Sequence, residues 1–261
     1  MAAQPGGDAT THGTNAGAAP AAPDTVGVVL AGGASRRMGR DKAALAVDGE
    51  SLAARAARRL LGVCARVAIA DGGRGLVPGL PCLPDAPGAG PAAGILGAAR
   101  AWPGHPLLVL ACDLPRVSEA LLLELVRRPP VTEAGDAGDA GELGQAGDAS
   151  AAGEAGAAAG STAACDAGAA ADPDWVVPRW ERGLEPLCAL YRPAALAALA
   201  AAVERGIAAP HRLTEAAGLR VRFLEGERLR RCGQPADLFL NLNTARDLER
   251  WLRLEATLGL A

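Results

Sequence analysis

The chain has 261 residues, half of them apolar, enough for one sizeable α/β domain or two small ones. Aromatic residues make up only 3% and the formal net charge is −3, so the core must be built mainly from Ala, Leu and Val. Six cysteines without a C-x-x-C pair and three scattered histidines exclude a disulfide framework and a zinc site on spacing. No apolar run approaches the ~18 residues of a membrane span, and the N-terminus lacks a basic region followed by a hydrophobic one. The expected location is cytoplasmic.

Residues 1–24 are rich in Ala, Gly, Pro and Thr and are expected to form a disordered tail. The run Val26–Leu30, followed by Gly32-Gly33, reads as a buried strand, and Ser51–Leu61 carries helical periodicity. A second strand is expected at Val67–Ala70, ended by Asp71-Gly72-Gly73, then a helix over Ala92–Ala101 and a third strand at Leu107–Ala111. Ser118 suits the N-cap of a helix reaching Arg127.

Residues 132–173 hold one Leu and no Val, Ile or aromatic, too little apolar surface to offset the entropy of ordering. They read as an acidic, low-complexity insertion. Nine acids and no Lys or Arg lie in 131–174, which leaves the rest of the chain with 26 basic and 20 acidic residues. A mildly basic globular part suits phosphate-bearing substrates, and an ordinary mixed surface fits the count equally well. Beyond the insertion, strands are expected at Trp175–Val177 and Leu187–Tyr191 and a helix at Pro193–Glu204. Thr244 and Asp247 resemble a capping box opening a last helix to about Leu258. Short apolar strands alternating with helices imply an α/β, three-layer sandwich with a mainly parallel sheet. Ligands of such sheets sit at the carboxyl ends of strands, which directs attention to the loops after Leu30, Ala70 and Ala111.

The first of these loops reads Leu30-Ala31-Gly32-Gly33-Ala34-Ser35-Arg36-Arg37-Met38-Gly39-Arg40-Asp41-Lys42. Two glycines let backbone N–H groups approach phosphate, although a turn alone uses Gly too. The spacing matches neither G-x-x-x-x-G-K-[ST] nor G-x-G-x-x-G. Lys42 is the only lysine beside 25 arginines. A compact ammonium differs from a planar guanidinium, so its retention points to a local demand for that shape, or else to chance. Arg36 and Arg37 add charge suited to a triphosphate. In the third loop Asp113 follows an apolar strand in Cys112-Asp113-Leu114-Pro115, offering magnesium a hard oxygen ligand; capping of the turn is the plainer alternative. Asp85 to Gly94, with Gly88, Gly90, Pro87 and Pro91, suits either close approach to a base or ribose or a surface loop.

Together these segments resemble the molybdenum cofactor guanylyltransferase family of MobA-like NTP transferases. The pattern L-A-G-G-x-S-x-R-M-G-x-D-K is met throughout Leu30 to Lys42. The resemblance continues through Asp85–Gly94, Cys112–Pro115, Asn241-Leu242-Asn243-Thr244 and Asp247-Leu248, and so spans residues 25–261 apart from the insertion. It implies a Rossmann-like nucleotidyltransferase domain over 25–261, Mg²⁺ as cofactor, and transfer of GMP from GTP to a molybdopterin-type cofactor with release of pyrophosphate. Carried over by residue, Leu30, Ala31, Gly32 and Gly33 would hold base and phosphates, and Arg37 and Lys42 the triphosphate. Asp85, Gly90, Pro91 and Gly94 would contact the nucleotide, Asp113 would hold magnesium and also touch the nucleotide, and Asn241 and Asn243 would lie near the acceptor. Partners implied are GTP, the molybdopterin-type cofactor and transient molybdoenzyme or chaperone contacts, with neither nucleic acid nor a membrane.

The chain departs from the family pattern at three places. Ala70-Asp71 stands where Asn is frequent, Ala245 follows Asn243-Thr244 in place of Pro, and Glu185 precedes Pro186 where Gln is commoner. Alternatives on the same fold are a cytidylyltransferase and a guanylyltransferase for another phosphorylated acceptor. The alternative of another class is a non-catalytic nucleotide or cofactor carrier.

Overall fold

The structure, a computed structural model, describes residues 19–32, 42–47, 49–88, 90–128 and 172–257. In chain order the strands and helices begin with β1 (Ala22–Leu30), a 3-10 turn at Lys42–Ala44, and a short hairpin of β2 (Ala46–Val47) and β3 (Glu50–Ser51). Then come α1 (Leu52–Leu61), β4 (Cys64–Ala70), β5 (Cys82–Leu83), α2 (Pro91–Ala101), β6 (Leu107–Ala111) and α3 (Glu119–Val126). After residue 172 follow β7 (Trp175–Trp180), β8 (Gly183–Leu184), β9 (Cys188–Tyr191), α4 (Pro193–Glu204) and a 3-10 turn at Pro210–Glu215. The chain continues with β10 (Val221–Leu224), α5 (Gly226–Cys232), α6 (Pro235–Leu238) and α7 (Ala245–Thr257).

Local chemistry accounts for the helix starts. Ser51 Oγ accepts the Ala54 N–H at 3.1 Å, and Ser118 Oγ accepts the Leu121 N–H at 3.2 Å, so both serines cap their helices. At α7 the exchange is reciprocal: Thr244 Oγ1 accepts the Asp247 N–H at 3.2 Å and Asp247 Oδ2 accepts the Thr244 N–H at 2.8 Å. Trp251 of that helix is fully buried.

The main sheet runs β10-β7-β9-β6-β1-β4-β5, with β8 paired to β7. Pairs β1–β4, β1–β6, β4–β5 and β7–β10 are parallel, whereas β9 runs antiparallel to both β6 and β7. The sheet is therefore mixed but mostly parallel. All five residues of β6 are buried, as expected of a central strand covered on both faces. From β1 the chain moves to β4 on one side, and from β5 it returns to β6 on the other. Right-handed crossovers in opposite directions place α1 and α2 on opposite faces. The helix contacts agree, α1 with α3 and α2 with α4, and give the three layers.

The first strand begins at Ala22, so the last three residues of the segment 1–24 belong to the sheet. The Ala22 N–H donates to Val63 O at 3.0 Å, and the pairing with β4 shifts between Ala22 and Val26. Pro23, Asp24 and Thr25 interrupt the apolar pattern there, which hid the strand's start. Residues 1–18 and 129–171 lie outside the described residues. Among the described residues no helix is long and apolar enough to cross a membrane.

Candidate functional site

Register sets the site. Leu30 lies opposite Ala70 of β4 and opposite Ala111 of β6, so the three parallel strands end level. The residues just beyond those ends, Ala31-Gly32, Asp71 and Cys112-Asp113, stand side by side along one sheet edge. The Ala31 N–H donates to Ala70 O at 3.0 Å and the Cys112 N–H to Leu30 O at 3.1 Å, which extends the ladder into the loops.

On the β1/β4 side, Asp85 comes over the edge. A Cβ built on Gly32 would lie 3.8 Å from Asp85 Oδ2 and 3.7 Å from Ala70 O; one on Gly94 would lie 3.6 Å from Asp85 Oδ1 and 3.1 Å from Leu30 Cδ2. The first loop, the Asp85 carboxylate and the first turns of α2 thus lie close together, most tightly where Gly94 meets the Leu30 side chain. The Ala86 N–H donates to Ala93 O at 2.9 Å, folding the Asp85 loop back onto α2. Gly90 caps α2 with a φ of +69° and Pro91 occupies its first turn, where no N–H is missed. The segment Asp85–Gly94 is thus built onto the strand ends. Of the first loop's expected residues, Leu30, Ala31 and Gly32 lie here, whereas Gly33 and Arg37 fall outside the described residues. Lys42 opens the 3-10 turn Lys42–Ala44, ahead of buried Ala43, and its side chain also lies outside them.

Asp71, standing where Asn is frequent in the family, is buried and builds a turn. Its Oδ1 accepts the N–H groups of Gly73 at 3.0 Å and Arg74 at 3.1 Å, and its Oδ2 accepts that of Leu76 at 2.9 Å. Arg74 donates from Nε to Asp71 O at 2.7 Å and from Nη2 to Ala31 O. This guanidinium straps the ends of β4 and β1 and sets a cation beside the first loop. Sequence reading missed it; the signal was the Asp-Gly-Gly-Arg turn, whose acid presents an arginine.

On the β6 side, Asp113 is partly buried, and its carbonyl accepts the Leu242 N–H at 2.9 Å. That bond brings the Asn241–Asn243 turn to the strand end. Asn241 Oδ1 is buried there with no hydrogen bond. Asn243 is exposed; its N–H donates to Asn241 O at 3.1 Å and to Asp247 Oδ2 at 3.1 Å, so the capping box of α7 braces the turn. Glu185 is also near. Its Oε1 accepts the Trp180 Nε1–H at 2.8 Å. Burial pushes its carboxyl above the ordinary range, the Trp180 N–H opposes that shift, and the Asp113 charge adds to it.

The edge therefore has two parts joined through the Leu30–Cys112 hydrogen bond: a glycine-lined cradle with Asp85, and an oxygen-rich corner with Asp113 and Asn241. Among the described residues no three His, Cys, Asp or Glu side chains gather to hold a metal by themselves. A hard cation that keeps water and phosphate oxygens in its shell needs only one or two carboxylates, and Asp113 beside the orphaned Asn241 oxygen fits that donor chemistry.

Residues 27–152 match the family model of the MobA-like NTP transferase domain. A protein of Pelotomaculum thermopropionicum described as "Probable molybdenum cofactor guanylyltransferase" is 44% identical over 98 residues, 36% of this chain and 48% of the relative. The molybdenum cofactor guanylyltransferase of Rhizobium johnstonii is 41% identical over 102 residues, 38% of this chain and 43% of the relative. The chain thus spans about half the length of the curated relatives it matches. The crystal structure of molybdopterin-guanine dinucleotide biosynthesis protein A from Archaeoglobus fulgidus superposes with a TM-score of 0.61 at 22% identity, covering 89% of this chain and 99% of the other. At that identity the superposition speaks for the fold.

Proposed function

We propose that this chain, whose residues 27–152 match the model of the MobA-like NTP transferase domain, carries out magnesium-assisted transfer of GMP from GTP to the terminal phosphate of a molybdopterin-type cofactor. The single observation behind this reading is the level edge of β1, β4 and β6, with Gly32, Asp85 and Gly94 on one side and Asp113, braced by Leu242, on the other. Such an edge accommodates a nucleotide and an acceptor side by side. The names of the relatives supply guanine and the pterin.

In the reaction an oxygen of the acceptor's phosphate attacks the α-phosphorus of GTP in line. The new P–O bond forms as the bond from the α-phosphorus to the bridging oxygen breaks, and pyrophosphate leaves with that electron pair. A phosphate monoester is already anionic, so no general base is needed, and catalysis rests on positioning and charge neutralisation. Leu30, Ala31, Gly32 and Gly33 offer backbone to base and phosphates, with Asp85, Gly90, Pro91 and Gly94 closing the cradle. Arg37 and Lys42 neutralise the triphosphate, aided by Arg74 at the rim. Asp113 and Asn241 would hold a magnesium ion, which supplies charge stabilisation to phosphate oxygens. Asn241 and Asn243 orient the acceptor. Acceptor-dependent release of pyrophosphate, compared among the four NTPs, tests the assignment; preference for CTP would change the product, and binding of GTP without release would make the chain a carrier.

A further inference from the structure

The peptide between Ala31 and Gly32 is the first one past the end of β1, and hydrogen bonds on both flanks set its direction. On the β6 side Leu30 O accepts the Cys112 N–H at 3.1 Å. On the β4 side the Ala31 N–H donates to Ala70 O at 3.0 Å, and Ala31 O accepts from Arg74 Nη2. A trans peptide sets its C=O and its N–H in opposite directions. With Ala31 O turned toward β4, the Gly32 N–H points back across β1 to the flank where Cys112 and Asp113 leave β6. The β1–β6 pairing has stopped by then, at Leu30 and Ala111. Gly32 is exposed, and among the described residues its N–H has no hydrogen-bond partner.

Arg74 can hold the Ala31 carbonyl because its own place is fixed. The buried Asp71 carboxylate accepts the N–H groups of Gly73, Arg74 and Leu76 at 3.0, 3.1 and 2.9 Å. It faces its own turn, so the side chain that reaches the neighbouring loop from here is that of Arg74. Arg74 Nε–H donates to Asp71 O at 2.7 Å while Nη2 reaches Ala31 O. One planar fork thus bridges two carbonyls at adjacent strand ends, which a point-like ammonium does not reproduce. A cation on a carbonyl also polarises the peptide and makes the N–H at its other end a stronger donor.

We propose that Arg74 is a positioning residue for the nucleotide: by holding Ala31 O it aims the Gly32 N–H at a phosphate oxygen of the NTP, on the Asp113 side of the edge. It acts through the peptide, beyond the charge it lends the rim. The inference rests on the nucleotidyltransferase reading and asks nothing of the acceptor.

The test follows the Gly32 amide by NMR in the full chain, with GTP and magnesium added, or guanosine in place of GTP. In wild type the Gly32 amide proton should move downfield with GTP and stay in place with guanosine, as an N–H does on gaining a charged acceptor. Arg74→Lys keeps the charge and loses the fork. The shift should disappear and GTP should bind about tenfold more weakly, the scale of one hydrogen bond to a charged group. Asp71→Asn exchanges one acceptor oxygen of the turn for a donor and should weaken both readouts in the same direction; it serves if Arg74→Lys does not fold. A Gly32 amide that ignores GTP in wild type, or answers guanosine equally, overturns the proposal. So does Arg74→Lys with the Gly32 shift intact, whatever its affinity. A GTP-driven Gly32 shift without pyrophosphate release from any NTP would sink the transferase reading alone. GTP-selective release with an unmoved Gly32 amide would sink this inference alone.

Discussion

The Leu242 N–H donates to the carbonyl oxygen of Asp113 at 2.9 Å, tying the turn before the last helix to the end of a central strand. Through this bond, a C-terminal segment far away in sequence becomes a wall of the site. Asp113→Asn keeps size and backbone but removes the charge. It is expected to lower activity by roughly 10²-fold, as for loss of one electrostatic stabiliser, and to weaken the apparent magnesium affinity. Initial rates across a magnesium titration check this, and an unchanged magnesium dependence would remove Asp113 from the ligand set.

Thr244→Ala breaks the reciprocal cap that braces the same turn. It should cost about 1 kcal/mol of stability, within the usual span for a lost N-cap. The Michaelis constant for the acceptor should rise more than that for GTP, because Asn241 and Asn243 sit in the braced turn. Urea unfolding and steady-state kinetics read the two effects separately.

Gly97 answers for the approach of α2 to the Asp85 loop. A Cβ there would collide with Pro84 O, a contact with backbone that no rotamer relieves. Gly97→Ala should therefore destabilise the protein by about 1–3 kcal/mol, the range for overpacking, and displace Asp85. The expected result is a lowered urea midpoint together with weakened GTP binding. A variant as stable as wild type would show that the loop yields freely.

Asp174 gives a pH dependence with a definite sign. The Arg220 guanidinium donates to it at 2.7 and 3.0 Å and the Arg220 N–H at 2.9 Å, and these hold the carboxyl below the ordinary aspartate range against a smaller opposing effect of burial. A depressed folded-state value means that the contribution is fully present above the ordinary value of 3.8 and is lost as pH falls through the lowered one. Asp174→Asn should lower the melting temperature at neutral pH, with the difference from wild type shrinking only in that acidic window. Melting curves of both proteins from neutral to acid pH would show it.

Much of the frame was legible before the structure. Ser118 and the Thr244–Asp247 pair announced helix starts because capping is local chemistry, and Leu107–Ala111 announced a strand by being apolar without interruption. The placement of Asp113 at that strand's carboxyl end followed from the same pattern. Strand β10 was missed because Val221–Leu224 is short, half-buried and interrupted by Arg222, so no run or clean alternation marks it. The reversed direction of β9 was not legible either, since its pairing with β6 spans a long sequence separation and leaves no local trace. At the site, motif and resemblance brought out Gly32, Asp85 and Gly94, which the fold gathers. Arg74 and Trp180 escaped notice because each acts through one hydrogen bond to a residue chosen by the turn around it, a relation that spacing does not encode.

Guanylyl transfer along the edge formed by β1, β4 and β6, as proposed, must release pyrophosphate. The most direct measurement is pyrophosphate release with magnesium and a molybdopterin-type acceptor, offered GTP, CTP, ATP or UTP in turn, with Lys42→Ala beside wild type. Acceptor-dependent release is expected with GTP alone, falling roughly 10²–10³-fold in Lys42→Ala, as for removal of one electrostatic stabiliser. Release with another nucleotide, release that needs no acceptor, or a Lys42→Ala rate equal to wild type would contradict it.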